Sequence, residues 1–482
     1  MIGRKKKRAA KVGIFGVAHP VYWGQFPGLK EKLGEYHRIF QTMVQEQEVE
    51  VVDFGIVDTS QLAYLTLERM RSESLDLVFC NMLTYATSSV FAPIIRDLEV
   101  PVVLTALQPL RRLDCASAST RQQLENDNIC SVPEFTCTAI RMGKKVQDVI
   151  IGVLEGDPQA EAGIREWCEI AKVLHDLKGA RFGLMGHVLE AMYDMHADPA
   201  ELSSVFGIHI PLLEIDDVCR IFQEVPQEEA EGKRSLILEC FDTPDPVSDP
   251  LTRKLTEEDL QQAARTAAAL DRFVEEYDLT GLAYYYNGQP LSETQRIVSS
   301  FIVGNSLLNA QGIPMCGEFD IKTCIAMFLM DRLDMGGSFA EFHPFDFEED
   351  YIMVGHDGPH HIAIAEGKPV LRSLKQYHGK PGSGASVEFK LKEGPITMLG
   401  ITQGYGGKIR FVIGEGFSRK GPIPPTGNTN TRGFFEPTTR EFIKKWVMEG
   451  PTHHYALGIG HRGETIAKIA EVLNIEYKII RG

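Results

Sequence analysis

Short apolar segments alternate with helix-like segments over the first hundred residues, and this alternation restricts the fold more than any other feature of the sequence. Strands are predicted at residues 12–16, 49–57, 75–80 and 100–104, with helices between them. Their nearly continuous apolar character is typical of parallel strands that crossover helices cover on both faces. The N-terminal part of the chain is therefore predicted to be a doubly wound α/β domain.

A second series of the same kind follows. Its predicted strands lie at residues 148–154, 181–185, 208–215 and 281–286. A helix is predicted at residues 255–277, where apolar residues recur at spacings of three and four, and the acid-rich stretch at 224–233 is interpreted as a surface loop. These elements predict a second doubly wound α/β domain.

The pattern changes at about Gly336. From there β-branched and aromatic residues alternate with polar ones, and Gly and Pro become frequent, which favours antiparallel strands joined by tight turns. The predicted fold class is α/β, with two doubly wound α/β domains followed by a mainly antiparallel β C-terminal domain. The predicted domains span residues 1–176, 177–335 and 336–482.

The amino-acid composition restricts the binding partners and the cellular compartment that are expected for this chain. The 482-residue chain has 50 Lys and Arg against 66 Asp and Glu, a net charge of −16, which disfavours nucleic acid and anionic lipid as partners. Its apolar runs are shorter than the roughly 20 residues of a membrane span, so no membrane association is expected. The basic residues 4–8 are interpreted as a solvated tail. The nine scattered cysteines are interpreted as reduced, mostly buried thiols of a cytoplasmic protein.

Two glycine-rich segments do not match nucleotide-binding motifs. Residues 403–408 end in Gly-Gly-Lys, but Ile409 stands where a phosphate-binding loop needs Ser or Thr. Residues 13–16 lack the third glycine of the dinucleotide fingerprint. Neither nucleotide nor nicotinamide chemistry is therefore expected.

Acidic and imidazole side chains interrupt apolar sequence between residues 316 and 361. Glu318, Glu341 and His356 lie among Gly, Phe and Val, and such groups are costly to bury unless they are paired or bound to metal. The doublet His453-His454 is a further candidate, although adjacent side chains of an extended segment point to opposite faces. Two carboxylates with one or two imidazoles suit Mn²⁺, Mg²⁺ or Co²⁺.

The order of these motifs resembles that of the L-arabinose isomerase and L-fucose isomerase superfamily. The motifs are Gly-Glu-Phe-Asp-x-Lys-Thr from Gly317, Phe-x-Glu ending at Glu341, Gly-His at His356, and the later His-His doublet. The resemblance implies one divalent cation, Mn²⁺ or another such as Co²⁺ or Mg²⁺. It also implies a homo-trimer or homo-hexamer with active sites at subunit interfaces. The ligands that it implies are Glu318, Glu341, His356 and His454.

The N-terminal sugar-contacting segments differ from the family pattern. Where the family has Gly-Ser-Gln-His-Leu-Tyr, residues 16–22 read Gly-Val-Ala-His-Pro-Val-Tyr, so the Gln is absent while His19 and Tyr22 remain as candidates for hydroxyl contacts. A second family segment, Asn-Gln-x-Ala-His-Gly, compares with residues 126–131, which read Asn-Asp-Asn-Ile-Cys-Ser. The sugar therefore cannot be copied from the family.

The predicted function is metal-dependent aldose–ketose isomerisation of a free pentose or hexose similar to L-arabinose, L-fucose or D-galactose. Glu318 and Glu341 would bind the metal and move the proton between C1 and C2. A hydride shift at the same centre stays open. Two alternatives also remain: a sugar epimerase at this metal centre, and a non-catalytic two-lobed sugar-binding protein.

Overall fold

The computed structural model describes residues 2–5, 8–189, 192–246, 249–290, 292–374, 376–377, 380–381 and 384–481. The chain divides into two compact units. One is Arg8–Asp176, and the other is Leu177–Gly482 together with Met1–Lys7. The division into three domains stays a prediction.

The N-terminal unit alternates strands and helices as predicted. Its strands are β1 (Lys11–Val17), β2 (Glu50–Val57), β3 (Leu77–Met82), β4 (Val102–Gln108) and β5 (Asp148–Val153). Its helices are α1 (Val21–Gln25), α2 (Leu29–Gln45), α3 (Ser60–Ser72), α4 (Ala92–Asp97), α5 (Thr120–Glu125), α6 (Val132–Arg141) and α7 (Pro158–Leu177).

These strands form a parallel sheet in the order β2-β1-β3-β4-β5. The central strands are buried along nearly their whole length, which explains their continuous apolar sequence. The strand order reverses between β1 and β3, and ligands of such sheets bind at the carboxyl ends of the strands beside that point. Because β5 pairs with β4, the strand predicted at residues 148–154 belongs to this first sheet, not to the second.

The middle of the chain carries a second parallel sheet. Its strands are β6 (Phe182–Gly186), β7 (Leu212–Leu213), β9 (Gly281–Tyr285) and β10 (Met315–Cys316), in the order β10-β9-β6-β7. The short strand β8 (Thr252–Arg253) lies outside this sheet and pairs antiparallel with Ser373 and Leu374. The helices are α8 (Pro199–Phe206), α9 (Ile215–Glu224), α10 (Gln227–Cys240), α11 (Glu257–Glu276), α12 (Glu293–Ser299), α13 (Phe301–Ala310) and α14 (Ile321–Arg332).

The C-terminal part is mainly antiparallel. Its strands are β11 (Gly336–Asp346), β12 (Tyr351–His356), β13 (Val370–Leu374), β14 (Gln376–Tyr377), β15 (Lys380–Pro381), β16 (Ser386–Glu388), β17 (Gly394–Gln403), β18 (Ile409–Ser418), β19 (Thr429–Phe434), β20 (Tyr455–Ile459) and β21 (Glu476–Ile480). Two helices accompany them, α15 (Thr439–Met448) and α16 (Gly463–Val472).

The large C-terminal sheet closes on itself. Its order is β17-β20-β11-β12-β19-β18, and β17 also pairs with β18, while β21 adds to β18 in parallel. One apolar core joins the inner face of this sheet to α11 and α13, with Ala263, Leu307, Val354 and Trp446 among its buried members. The predicted fold class of two doubly wound α/β parts and an antiparallel β part is confirmed.

Three local predictions are wrong. The predicted loop at residues 224–233 lies largely in α10, because Ala230 and Ile237 on one face are buried against the core and acidic residues occupy its first turn, where the helix dipole favours them. The predicted strand at 208–215 is reduced to β7, since Ile215 already begins α9. The N-terminal tail is anchored: the Arg4 guanidinium donates to the Asp331 carboxylate at 2.7 and 3.0 Å.

Two further observations concern the compartment predictions. Within the described ranges, the helices are all too short or too polar to cross a lipid bilayer. All nine cysteines are free thiols, of which four are buried: Cys80, Cys168, Cys316 and Cys324. The thiols are therefore unpaired, as expected, but fewer of them are buried than predicted.

Candidate metal centre

A strained turn holds Glu318 between β10 and α14. Glu318 and Phe319 have φ angles of 57° and 65°, a conformation that side chains other than Gly rarely adopt. The Phe319 N–H donates to the Tyr284 carbonyl at 2.9 Å, and Asp320 caps the N-terminus of α14 through the Thr323 N–H at 3.0 Å. Two consecutive left-handed residues cost free energy, and such strain concentrates at functional sites.

Neighbouring strands of the closed sheet position the other three residues. Glu341 lies on β11 opposite Gly355 of β12, and His356 ends that strand. His454 comes directly before β20, whose Tyr455 pairs with Ala340 on the other side of β11. The order β20-β11-β12 therefore brings Glu341, His356 and His454 side by side although 113 residues separate the first from the last.

The four side chains converge. Glu341 Oε1 lies 3.8 Å from His356 Nε2, and Glu318 Oε2 lies 3.7 Å from His454 Nε2. The two imidazole ring centroids are 5.1 Å apart, and the buried Phe339 ring packs against both at 4.5 and 4.3 Å. Potential ligand atoms of Glu341, His356 and His454 all lie within 4.8 Å of one another.

The bonding of His454 fits a metal ligand. Its Nδ1 lies 3.1 Å from the Asp320 carboxylate, which only accepts when ionised, so Nδ1 carries the proton and Nε2 keeps a lone pair. Both His454 Nε2 and the facing Glu318 Oε2 are buried and have no hydrogen-bond partner among the described residues. Two buried acceptors without donors are costly, and a cation between them satisfies both.

Carboxylates support both histidines from behind. Asp320 is fully buried and also accepts from the Thr323 hydroxyl at 2.8 Å, which fixes the carboxylate that orients His454. Asp357 Oδ1 lies 2.9 Å from His356 Nδ1, and the Gly358 N–H donates to the same nitrogen at 3.0 Å. The Asp320–His454 pair is of the carboxylate–histidine kind that sets the tautomer and orientation of a metal-binding imidazole.

The local electrostatics favour cation binding. Burial raises the pKa of Glu341, but the hydrogen bond to His343 and the charge of His356 outweigh it and lower the pKa to about 2. Burial lowers the pKa of His454, although Asp320 opposes this. At neutral pH Glu341 is therefore ionised and His454 is neutral, and both are forms that bind a metal ion. Burial lowers the pKa of His356, but the hydrogen bond to Asp357 and the charges of Asp357, Glu341 and Glu318 outweigh it and raise the pKa to about 9, so a metal ion must displace a proton from His356.

A cavity of about 170 Å³ adjoins the four-residue cluster. Glu318 and His356 form part of its wall, and Tyr285, Tyr286 and Asn287 line it where β9 ends. Aromatic faces and polar groups beside the candidate ligands are suited to the apolar and hydroxyl surfaces of a sugar.

The remaining predicted residues lie in the N-terminal unit. His19 follows β1 and Tyr22 lies in α1, with ring centroids 5.6 Å apart, and Tyr85 lies 5.9 Å from the His19 ring. This cluster is at the carboxyl ends of β1 and β3, where the strand order reverses. Ala18, which stands in place of the family's Gln, is fully buried among Leu29 and Leu83 and is not a surface contact position.

Sequence reasoning did not identify Asp320, Asp357 and His343 as supporting residues. Asp320 is part of the Gly-Glu-Phe-Asp motif, and His343 follows Glu341 at the strand period of two, so both had a signal in the sequence. His453 is the more exposed member of the doublet and bonds Asp194 Oδ2 through Nδ1 at 2.6 Å, although it also approaches Glu318.

The chain is similar to known sugar isomerases. The family model of the L-arabinose isomerase C-terminal domain matches residues 336–476. An L-arabinose isomerase of Serratia proteamaculans (strain 568) is 24% identical over 362 residues, which cover 72% of this chain and 69% of that protein. A sulfoquinovose isomerase of Alkalicoccus urumqiensis is 22% identical over 335 residues, covering 67% and 70%. Another, of Priestia aryabhattai, is 19% identical over 415 residues, covering 86% and 87%. These matches support the arabinose-isomerase-like superfamily, which the order of the motifs predicted.

Proposed function

We propose that this protein is a metal-dependent aldose–ketose isomerase that acts on a free sugar. The observation that carries the proposal is the pair of buried acceptors, Glu318 Oε2 and His454 Nε2, that face each other without a donor beside Glu341 and His356. The relatives named as sugar isomerases support the reaction class.

The proposed ligands are Glu318, Glu341, His356 and His454. This set suits Mn²⁺, with Co²⁺ or Mg²⁺ as alternatives, because it combines carboxylate oxygens with imidazole nitrogens. A bound divalent ion supplies positive charge next to the substrate oxygens at C1 and C2.

The two glutamates are the proposed proton carriers. A carboxylate such as Glu341, which lies beside the histidine pair, can accept a proton from one substrate carbon and return it to the neighbouring carbon. Glu318 faces His454 from the strained turn that precedes the Asp320 cap of α14. A hydride shift between C1 and C2 would need the same residues to bind and orient the sugar but not to carry a proton.

The candidate substrates are L-arabinose, L-fucose and D-galactose, and the named relatives add sulfoquinovose. We also propose a cytoplasmic homo-trimer or homo-hexamer in which His19 and Tyr22 of a neighbouring subunit contact sugar hydroxyls. This assembly follows from the motif resemblance, and light scattering combined with activity at increasing dilution tests it, since a shared site loses activity when subunits separate.

A panel of pentoses and hexoses with Mn²⁺ tests the reaction. The expected result is a new ketose from at least one aldose, which EDTA abolishes and added Mn²⁺ restores. A new aldose without ketose would instead indicate an epimerase. Binding of a sugar by calorimetry without any product would indicate a sugar-binding protein and contradict the proposal.

Changing Asp320 to Asn is expected to weaken metal affinity and turnover about 10- to 100-fold, because the carboxylate that orients His454 becomes an amide. Asn caps a helix as well as Asp does, so α14 should keep its start. Asp198→Asn is the matched control, since Asp198 caps α8 through the Ala200 N–H and is not one of the four candidate ligands. Mn²⁺ affinity and turnover near wild-type values in Asp320→Asn would contradict the supporting role of Asp320.

A further inference from the structure

His343 contacts one of the four candidate ligands, Glu341. It lies two residues after Glu341 on β11, so both side chains point from the same face of the sheet. His343 Nε2 lies 3.3 Å from Glu341 Oε1, and His343 Nδ1 lies 2.5 Å from the Asn430 side-chain amide. Its side chain is 19% exposed, so these two contacts hold a largely enclosed ring.

The partners of His343 determine which of its nitrogens donates. An ionised carboxylate only accepts hydrogen bonds, so Nε2 must carry a proton toward Glu341. The Asn430 amide satisfies Nδ1 in either case, by accepting through its oxygen or by donating through its nitrogen. Asn430 therefore holds the ring in place, and His343 is a fixed donor to Glu341.

The oxygen that His343 contacts is the one that faces the histidine pair. Glu341 Oε1 lies 3.3 Å from His343 Nε2 and 3.8 Å from His356 Nε2. A donor on one lone pair of this oxygen fixes the rotation of the carboxylate and directs the remaining lone pair toward His356. Without the donor, the carboxylate can rotate about its terminal bond, because that bond has a broad energy minimum.

We propose that His343 is a positioning residue that holds the Glu341 carboxylate in the orientation needed for metal binding and catalysis. The inference rests on the proposed function, since it assigns His343 a role toward the same metal. Hydrogen-bonded partners behind metal ligands typically change metal affinity or activity 10- to 100-fold when they are removed.

Packing does not account for His343. The exposed part of the His343 ring borders a cavity of about 730 Å³, which Phe347, Pro422 and Pro424 also line. A side chain beside open space is not required to fill a core, and the cavity gives room for substitutes of other shapes. The polar contacts to Glu341 and Asn430 are therefore what the histidine adds at this position.

Variants with and without a donor test this role. In His343→Gln the amide nitrogen can still donate to Glu341, whereas His343→Leu and His343→Ala remove the donor. Titrating metal-free protein with Mn²⁺ and measuring the free ion by electron paramagnetic resonance gives a Mn²⁺ affinity that does not depend on turnover. His461→Leu is the matched control, because His461 bonds the Gly416 carbonyl and is not in contact with Glu341 among the described residues.

We expect His343→Leu and His343→Ala to lower both Mn²⁺ affinity and turnover roughly 10- to 100-fold. His343→Gln should keep most of the affinity and turnover of the wild type. His343→Ala replaces the ring with empty space beside the cavity, so it serves if the Leu variant does not fold. Wild-type Mn²⁺ affinity in the donor-free variants would overturn the inference, and so would an equal loss in His343→Gln. Failure of the wild-type protein itself to bind Mn²⁺ would instead contradict the proposed function.

Discussion

Replacing Glu318 or Glu341 with Gln is expected to reduce turnover at least about 10²-fold without unfolding the protein. Each substitution preserves the shape of the side chain but removes its negative charge and its basic lone pair. General base catalysis typically accelerates a reaction 10²- to 10⁴-fold. Loss of a charged ligand also weakens metal binding, which reduces turnover further.

The two variants should differ in detail. In Glu341→Gln the amide can still accept from His343, so the side chain should stay in place while its charge is lost. In Glu318→Gln an amide nitrogen can face His454 Nε2 and donate to it, which would close the site without a metal. Glu318→Gln should therefore show the larger loss of Mn²⁺ affinity.

Initial rates on the sugar that gives product, with circular dichroism as the test of folding, measure these effects. Glu366→Gln is the control, because Glu366 pairs with Lys390 at 2.9 Å and is not one of the four candidate ligands. Near-normal turnover in Glu318→Gln or Glu341→Gln would remove that residue from the catalytic role.

Changing Asp331 to Asn is expected to lower the free energy of unfolding by about 3–5 kcal/mol, the usual cost of breaking a buried ion pair by removing one partner. The Asp331 side chain is 4% exposed, and it accepts from both Arg4 nitrogens and contacts Arg332 and, at 3.3 Å, His361 Nε2. The variant leaves two guanidinium groups beside a neutral amide. Urea denaturation at pH 7 measures the difference.

The same variant should have a pH-dependent effect. Burial raises the pKa of Asp331, but the hydrogen bond to His361 and the charges of His361, Arg332 and Arg4 outweigh it and lower the pKa to about 2. A carboxylate with a lowered folded-state pKa contributes its full stability above the unfolded pKa of about 3.9. The difference between wild type and Asp331→Asn should therefore narrow as the pH falls from about 4 toward 2.

Asp334→Asn is the matched control for Asp331→Asn. Asp334 also approaches Arg4, at 3.5 Å, but its side chain is 60% exposed, and its φ of 59° is one that Asn tolerates. Exposed ion pairs contribute about 0–1 kcal/mol, so a small change is expected. Equal effects of the two substitutions would show that the buried network does not stabilise the protein.

The sheets were predictable where one local signal determined them. The central strands β1, β3 and β4 of the N-terminal unit are buried on both faces, so their apolar runs marked them in the sequence, and β1 and β3 lie within two residues of the predicted positions. The helix α11 was predicted because its buried residues repeat at spacings of three and four. The helix α10 was not predicted, because its sequence is acid-rich and only a few of its residues are buried.

The candidate site was predictable only in part. The order of motifs named Glu318, Glu341, His356 and His454, and the structure brings them together, while their role as ligands stays a prediction. The contact between Asp320 and His454 joins residues 134 positions apart, and that between Arg4 and Asp331 joins residues 327 apart. No local pattern encodes such pairs, because tertiary packing alone makes them neighbours.

A crystal grown with Mn²⁺ and measured at the manganese absorption edge tests the central claim most directly. The account predicts one anomalous peak per chain, with Glu318, Glu341, His356 and His454 at roughly 2.0–2.4 Å from it. A peak at another site, or full occupancy with two or more of these four residues outside bonding distance, would contradict the account.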